Sequence, residues 1–511
     1  MSFVGEAEIP RSFRLRPLLI LCSVALLYRA PFLLNPNAID SDGAVVGLQA
    51  RHLLGGEWSW FIWGTNYQAS FDAVVHALAF SVFGASPFVM VCDTLFAAML
   101  MIVLAFLLLE RHVGASAALV CCAPMVFAPA AYNHFIQQGF RQWALTAFVA
   151  AAYAFDRGRE SARWAFFGGL LFFFMLYLDL FTLQAAPALA LFSLSCLAWG
   201  ERSLARGLAA AAGAAISGAF FLWVRHGLPG PPPTQLELSH LPFNLKLLLE
   251  QCGPWITGAR ASWAPAGGQL RPWHAPAPVV ALQWLGATLL LVAVTFPAFA
   301  FIRWSFPGAR SMALRTKLVG LLGFLTIATS VAAFLVSTWP VDLASVRYLA
   351  LGAVAVPFAL APAASLLGAS RFSIACAPAV VALLIAGWLG YGESVRGPFP
   401  VRSPRGVAVE ERALQNELRT LGIHAAAADY WLSYRLSLLF NEDPVLANID
   451  GWERMPAYRA AFDRAPLRAL VFHPSIPQTP ASRYEARLRS RGIRFEELKV
   501  ADFTVLIYMQ P

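Results

Sequence analysis

The chain has 511 residues, of which 58% are hydrophobic and 13% charged, with 16 Trp, 39 Phe and a formal net charge of +9. Soluble proteins carry about 25% charged residues, so this composition excludes a wholly soluble chain. The surplus of Arg lies between apolar runs, where it sets membrane topology and gives no argument for nucleic acid.

Six of the seven Cys lie in apolar runs and only Cys252 in a polar loop, so neither a disulfide framework nor zinc spacing is present. From the N-terminus, the basic stretch Arg11 to Arg16 precedes an apolar run with no small-residue cleavage site, which reads as an uncleaved first span. Apolar runs of spanning length fall near 17–34, 86–109, 114–131, 140–156, 162–178, 183–199, 204–225, 277–302, 317–337, 346–368 and 372–391, which gives about 11 transmembrane helices within residues 1–391. With the N-terminus in the cytoplasm, the inner segments hold Arg111, Arg157, Arg159, Arg163, Arg202, Arg206, Arg303, Arg310, Arg315, Lys317 and Arg371. The outer segments hold most of the acids, among them Asp40, Asp42, Glu57, Asp72, Asp179, Glu237, Glu250 and Asp342. This alternation follows the positive-inside rule, and an odd span count places the C-terminal tail outside the cytoplasmic membrane.

The first outer loop, 35–85, is expected to carry interfacial helices. Val46, Ala50, Leu53 and Leu54 form the stripe of an amphipathic helix at a membrane surface. Asp42 stands where that helix begins, so its plain structural role is an N-cap. Asp72 lies in the apolar helix 71–83 with His76 four residues on, on the same face, where the two share a proton or a metal or else simply line a polar stripe. The second large outer loop, 226–276, is Pro-rich with Trp255, Trp263 and Trp273, and reads equally as a mobile lid or an anchored connector. Arg141, with His134 in the same loop, and Arg347 stand near outer ends of spans, against the topological bias, where a guanidinium fits a lipid phosphate. Asp179 occupies a short outer turn, lining the same cavity or capping a helix. Residues 392–405 read as a linker. In 406–511, helices alternate with strands at 423–428, 444–448, 467–473 and 503–508, which defines a small soluble α/β domain outside the membrane.

The stretch Asp40-Ser-Asp-Gly-Ala-Val-Val-Gly-Leu-Gln-Ala-Arg-His-Leu-Leu-Gly-Gly-Glu, followed by Trp63-Gly-Thr-Asn-Tyr-Gln-Ala-Ser-Phe-Asp-Ala, resembles the first outer loop of bacterial membrane glycosyltransferases of the protein mannosyltransferase and aminoarabinose transferase type. The resemblance continues through Val346-Arg-Tyr-Leu and Ala428-Asp-Tyr-Trp-Leu-Ser-Tyr-Arg. It implies an all-α polytopic bundle of the C-type membrane glycosyltransferase fold, with a catalytic cavity at the outer membrane face. It further implies a polyprenyl-phosphate sugar donor, a single inverting displacement, and an aspartate of the first loop as the base. That base maps onto Asp42, with Asp40 beside it, while the family's adjoining Glu falls on Gly43. The family's second acid maps onto Asp72 and its Arg-Tyr pair onto Arg347 and Tyr348. His76, Arg141 and Asp179 join the candidate substrate-binding set. A divalent metal is left open. The acceptor is a glycan, a lipid or a protein, and membrane lipids are the surroundings. The rival readings are a transporter or flippase for a lipid-linked saccharide, and a non-catalytic membrane assembly protein.

Overall fold

The structure is a computed structural model that describes residues 12–34, 36, 39–128, 141–198, 203–228, 236–259, 262–263, 271–272, 276–302, 313–396, 409–450, 452–474 and 476–509. The first part of the chain is helical. It runs α1 (Ser12–Leu34), α2 (Ser41–Leu54), α3 (Phe71–Phe83), α4 (Pro87–Val113), α5 (Ala115–Val126), α6 (Gln142–Gly158), α7 (Ala162–Leu178), α8 (Ala186–Leu197) and α9 (Ser203–Arg225). After the short α10 (Leu241–Leu247) and α11 (Gly253–Ile256) come α12 (Ala277–Ile302), α13 (Leu314–Val336), α14 (Ala350–Leu367) and α15 (Ala369–Arg396). Among the described residues six helical stretches are long and apolar enough to cross a membrane, and four more apolar helices, including α3, α5 and α7, are shorter. Those are what the structure offers against the eleven spans read from the sequence. The last helix also runs to Arg396, five residues into the expected linker.

The bundle core gathers Ile102 and Phe106 of α4, Leu145 and Phe148 of α6, and Phe358 of α14, all fully enclosed. Close helix approach rests on small residues. A Cβ on Gly169 of α7 or Gly213 of α9 would run into the facing helix backbone. Each end of the bundle holds an Arg–Asp pairing. At one end Arg111 of α4 pairs with Asp156 of α6 at 2.9 Å, and His112 and Arg159 share that carboxylate. At the other end of α6 and α7 stand Arg141 and Asp179. A helix of about 17 residues at 1.5 Å per residue holds the two groups roughly 25 Å apart.

The second long loop is anchored. Asn244 of α10 donates to the carbonyls of Phe334, Leu335 and Ser337 at 3.1, 3.0 and 2.7 Å. Those carbonyls belong to the end of α13, which has no intrahelical donors left to offer. Trp255 is buried against Phe334, Val346 and Leu349. The described part of this loop is docked beside the turn that carries Arg347. The two-residue strands β1 (Ser262–Trp263) and β2 (Arg271–Pro272) pair antiparallel within it.

The tail folds as α16 (Val409–Thr420), β3 (Ala425–Ala428), α17 (Tyr430–Leu439), β4 (Val445–Asn448), α18 (Pro456–Arg464), β5 (Leu467–Phe472), α19 (Ala481–Ser490), β6 (Phe495–Val500) and β7 (Phe503–Met509). The sheet order is β4-β3-β5-β7-β6, parallel through β3, β4 and β5 and antiparallel at β7 and β6. Strand β6 is absent from the sequence reading. Its residues are charged and half-exposed (Phe-Glu-Glu-Leu-Lys-Val), as an edge strand permits and as a search for apolar runs overlooks. One apolar cluster joins the two parts of the chain, with Val45, Val46, Ala50 and Met90 packed beside Tyr434, Leu438 and Tyr458. Gly47 makes this approach possible, since a Cβ there would lie 2.6 Å from Met90 Sδ and 3.2 Å from Leu438 Cδ1.

Candidate functional site

The site is built at the start of α2. Asp40, extended at φ −88° and ψ 177°, is the N-cap, and its Oδ1 accepts from the Gly43 N–H at 2.8 Å. The sequence assigned that role to Asp42. The cap lies two residues earlier than expected, so Asp42 falls in the first turn of the helix with its side chain released from capping. Loss of water pushes the Asp40 carboxyl up to about 7, with the Asp42 charge adding to the rise, while Gly43, Arg347 and Arg454 act in the opposite sense.

Two groups from the tail meet the released Asp42. Arg454 donates from Nη2 to Asp42 Oδ1 at 2.9 Å, from Nε to the Tyr430 hydroxyl at 2.7 Å, and from Nη1 to the Trp63 carbonyl at 3.1 Å. Tyr430 donates its own hydroxyl proton to the same Asp42 Oδ1. Burial, then the Asp42 charge, drives the Tyr430 hydroxyl well above its ordinary range, so it stays a donor. Asp42 Oδ2 takes no hydrogen bond among the described residues, and the carboxylate is 25% exposed. The tail's local structure fixes both partners. Asp429 caps α17 through the Trp431 N–H at 2.9 Å, which sets Tyr430 at the first turn, and the Arg454 N–H donates to the Tyr434 hydroxyl at 2.7 Å. The Arg454 guanidinium also lies 4.7 Å from the Trp452 ring centre and 5.5 Å from that of Tyr430.

A cationic half adjoins this carboxylate. Arg347 and Tyr348 lie in the 3-10 turn Leu343–Leu349 that leads into α14, and Arg347 Nη2 contacts the Tyr348 hydroxyl at 3.2 Å. The Arg347 charge acts on both Asp40 and Asp42. Arg141, at the start of α6, donates from Nε to Asp179 Oδ2 at 3.1 Å and faces the Tyr348 ring at 5.8 Å. Asp179 is held from both sides, because Gln68 donates to its Oδ2 at 3.2 Å and its Oδ1 accepts from the Phe181 N–H at 2.9 Å. Backbone pairing of Gln68 with Asp179 ties the first loop to the end of α7. Tyr67 lies between the two halves, within the fields of Arg141, Asp179, Arg454 and Tyr348, and burial pushes its hydroxyl up. Trp339 closes this side against Tyr67 and Tyr348, at ring separations of 6.2 and 6.0 Å.

Asp40, Asp42, Arg141, Asp179, Arg347 and Tyr348 thus come together. Asp72 and His76 are buried on α3, facing α4, with the Asp72 carboxylate in the electrostatic field of Asp93 and Asp179. Asp72 and His76 do not form the pair that their spacing proposed. His76 Nδ1 approaches Asp93 Oδ2 of α4 to 2.7 Å, and Asp72 Oδ1 has no hydrogen-bond partner among the described residues. Asp93 sits in an apolar run and offered the sequence no pairing signal. His134 lies outside the described residues. Among the described residues no group of three or more His, Cys, Asp or Glu side chains gathers to hold a metal ion, and no step below runs through one. Tyr67, Tyr430 and Arg454 were missed from sequence. The signals were that Tyr67 falls in the Trp63-Gly-Thr-Asn-Tyr stretch and Tyr430 in the Ala428-Asp-Tyr-Trp stretch of the family resemblance, while Arg454 lies in neither.

The fold is shared with solved membrane glycosyltransferases of the C-type architecture. ArnT from Cupriavidus metallidurans, solved bound to undecaprenyl phosphate, matches with a TM-score of 0.56 at 11% identity, over 98% of this chain and 98% of that one. The oligosaccharyltransferase of Archaeoglobus fulgidus in its apo form matches with a TM-score of 0.50 at 12% identity, over 92% of this chain and 70% of that one. At such identities the likeness establishes the fold. No protein-family profile matches the chain, and no curated sequence matches it.

Proposed function

We propose that this chain is a membrane glycosyltransferase, moving a sugar from a polyprenyl-phosphate donor to an acceptor hydroxyl at the outer face of the cytoplasmic membrane. The observation that carries the reading is Asp42, gripped through Oδ1, with no hydrogen bond to Oδ2 among the described residues and with the Arg347 charge acting on the carboxylate. The acceptor oxygen attacks the anomeric carbon on the face opposite the phosphate, and its proton passes to Asp42 Oδ2. The bond from the anomeric carbon to the phosphate oxygen breaks, and its electron pair leaves on the lipid phosphate. Arg347, backed by the Tyr348 and Arg141 contacts, meets the charge that grows there. One displacement inverts the anomeric configuration. The undecaprenyl phosphate bound by ArnT supports a lipid-phosphate donor here, because that neighbour spans nearly the whole of both chains.

The test uses full-length protein in lipid nanodiscs with a panel of undecaprenyl-phosphate sugars, and reads release of undecaprenyl phosphate. Asp42→Asn keeps the side-chain size, and a general base contributes about 10²–10⁴-fold, so release from the active donor should fall by that order with insertion unchanged. Release at the wild-type rate in Asp42→Asn would show that the proton goes elsewhere.

A further inference from the structure

We infer that Arg454, together with Tyr430, is a positioning residue for Asp42, so that the C-terminal tail is a working part of the active site. This rests on the assignment of Asp42 as the base. Among the described residues, no side chain of the bundle supplies the clamp. Both donors to Asp42 Oδ1 come from the tail, 412 and 388 residues further along the chain. Arg454 is built to hold one geometry. Its side chain is 8% exposed, and it makes directed bonds to Asp42, to Tyr430 and to the Trp63 carbonyl. Those bonds tie the start of α2, the 61–64 stretch and the tail at a single guanidinium. Trp63 is itself fixed, since its N–H donates to Gln49 Oε1 at 3.3 Å and Gln49 Nε2 donates to the Phe61 carbonyl at 3.0 Å. Gly64 passes against Arg454, and a Cβ there would lie 2.9 Å from Arg454 Cγ.

A carboxylate has two oxygens in one rigid plane. Two donors on Oδ1 set the direction in which Oδ2 presents its lone pairs, as preorganisation of a proton acceptor requires. Arg454→Lys would keep the charge but lose the planar fork that reaches Asp42, Tyr430 and Trp63 at once. The docking that brings the clamp into place is extensive. Arg435 N–H donates to Ser41 Oγ at 3.3 Å, beside the start of α2, and His52 at its other end joins Glu442 at 2.7 Å.

The experiment measures kcat, KM and undecaprenyl phosphate affinity for Arg454→Gln, Arg454→Lys, Asp42→Asn and the double variant Asp42→Asn/Arg454→Gln. Full-length protein is used with the donor that the wild type turns over. Arg454→Gln should lower kcat by about 10–100-fold, part of what a general base contributes, while undecaprenyl phosphate affinity stays within about twofold. Arg454→Lys should recover part of that loss. A residue acting only through Asp42 adds nothing once Asp42 is gone, so the double variant should match Asp42→Asn alone. Melting temperatures in the same nanodiscs separate misfolding from misplacement. An inactive Asp42→Asn with a fully active Arg454→Gln would overturn the clamp and leave the base standing. A further loss in the double variant would assign Arg454 a role of its own and would also overturn it. An active Asp42→Asn, or no turnover of any donor in the panel, would remove the base assignment and this inference with it.

Discussion

Asp40 caps α2 through Gly43 while its carboxyl is pushed up to about 7 from an ordinary 3.8 by loss of water and then by Asp42. A raised acid holds its proton in the folded state over a range where the unfolded chain has released it. Stability from this group is therefore present at low pH and falls as pH rises from about 4 to about 7, with no further change above. An amide in place of this carboxyl keeps an oxygen to cap Gly43 and has no proton to lose. Melting in detergent from pH 4 to pH 8 should show a shallower decline for Asp40→Asn than for the wild type, and the variant should gain most at pH 8. An identical pH slope in the two proteins would contradict the raised affinity of this carboxyl for its proton. Asp40→Asn should also cost less turnover than Asp42→Asn. Some of this chemistry was legible residue by residue. Acids in an outer loop and Arg347 at a helix end carry their own signal, because ionised groups near a membrane need a reason to be there. The exchange of capping between Asp40 and Asp42 carried none. It turns on a shift of two residues in where α2 is capped, and that depends on what Asp42 is drawn toward.

At the scale of elements, the second outer loop decides how the Arg347 turn is held. Asn244 satisfies three carbonyls at the end of α13, and its neighbours Trp255 and Leu247 pack on Val346 and Leu349, which flank Arg347 and Tyr348. Removing the amide leaves buried acceptors unmet, at about 1–3 kcal/mol. Asn244→Ala should lower the melting temperature and weaken undecaprenyl phosphate binding together. Loss of stability with unchanged lipid affinity would show that the loop does not hold the Arg347 turn. The sequence left this loop between lid and connector because its Pro and Trp residues serve either. The partner of Asn244 is a helix end about 90 residues away, which no local pattern reveals. The helix of 71–83 is a similar case. Its spacing correctly put Asp72 and His76 on one element, yet His76 found Asp93 on α4.

The whole molecule joins a membrane bundle to a small sheet domain, and the charge alternation along the chain predicts its orientation. Reporter fusions after Arg111, Arg163 and Arg315 should read cytoplasmic, and fusions after Glu57 and Arg405 external. A cytoplasmic tail would place Arg454 and Tyr430 on the side of the membrane where nucleotide sugars are made, and would end the case for a lipid-carried donor. By itself the sequence determined the membrane class, the helical bundle and the alternating tail, because hydropathy and periodicity are local properties. Only the tertiary structure decided that the tail is docked on α2, that Tyr67 stands between the two halves of the site, and that Asp42 is held by a guanidinium 412 residues away. An arginine in a soluble domain looks like any other solvated charge until its partner is known. Partners across such a separation are chosen by packing, here by the close approach at Gly47 that seats α17 against α2.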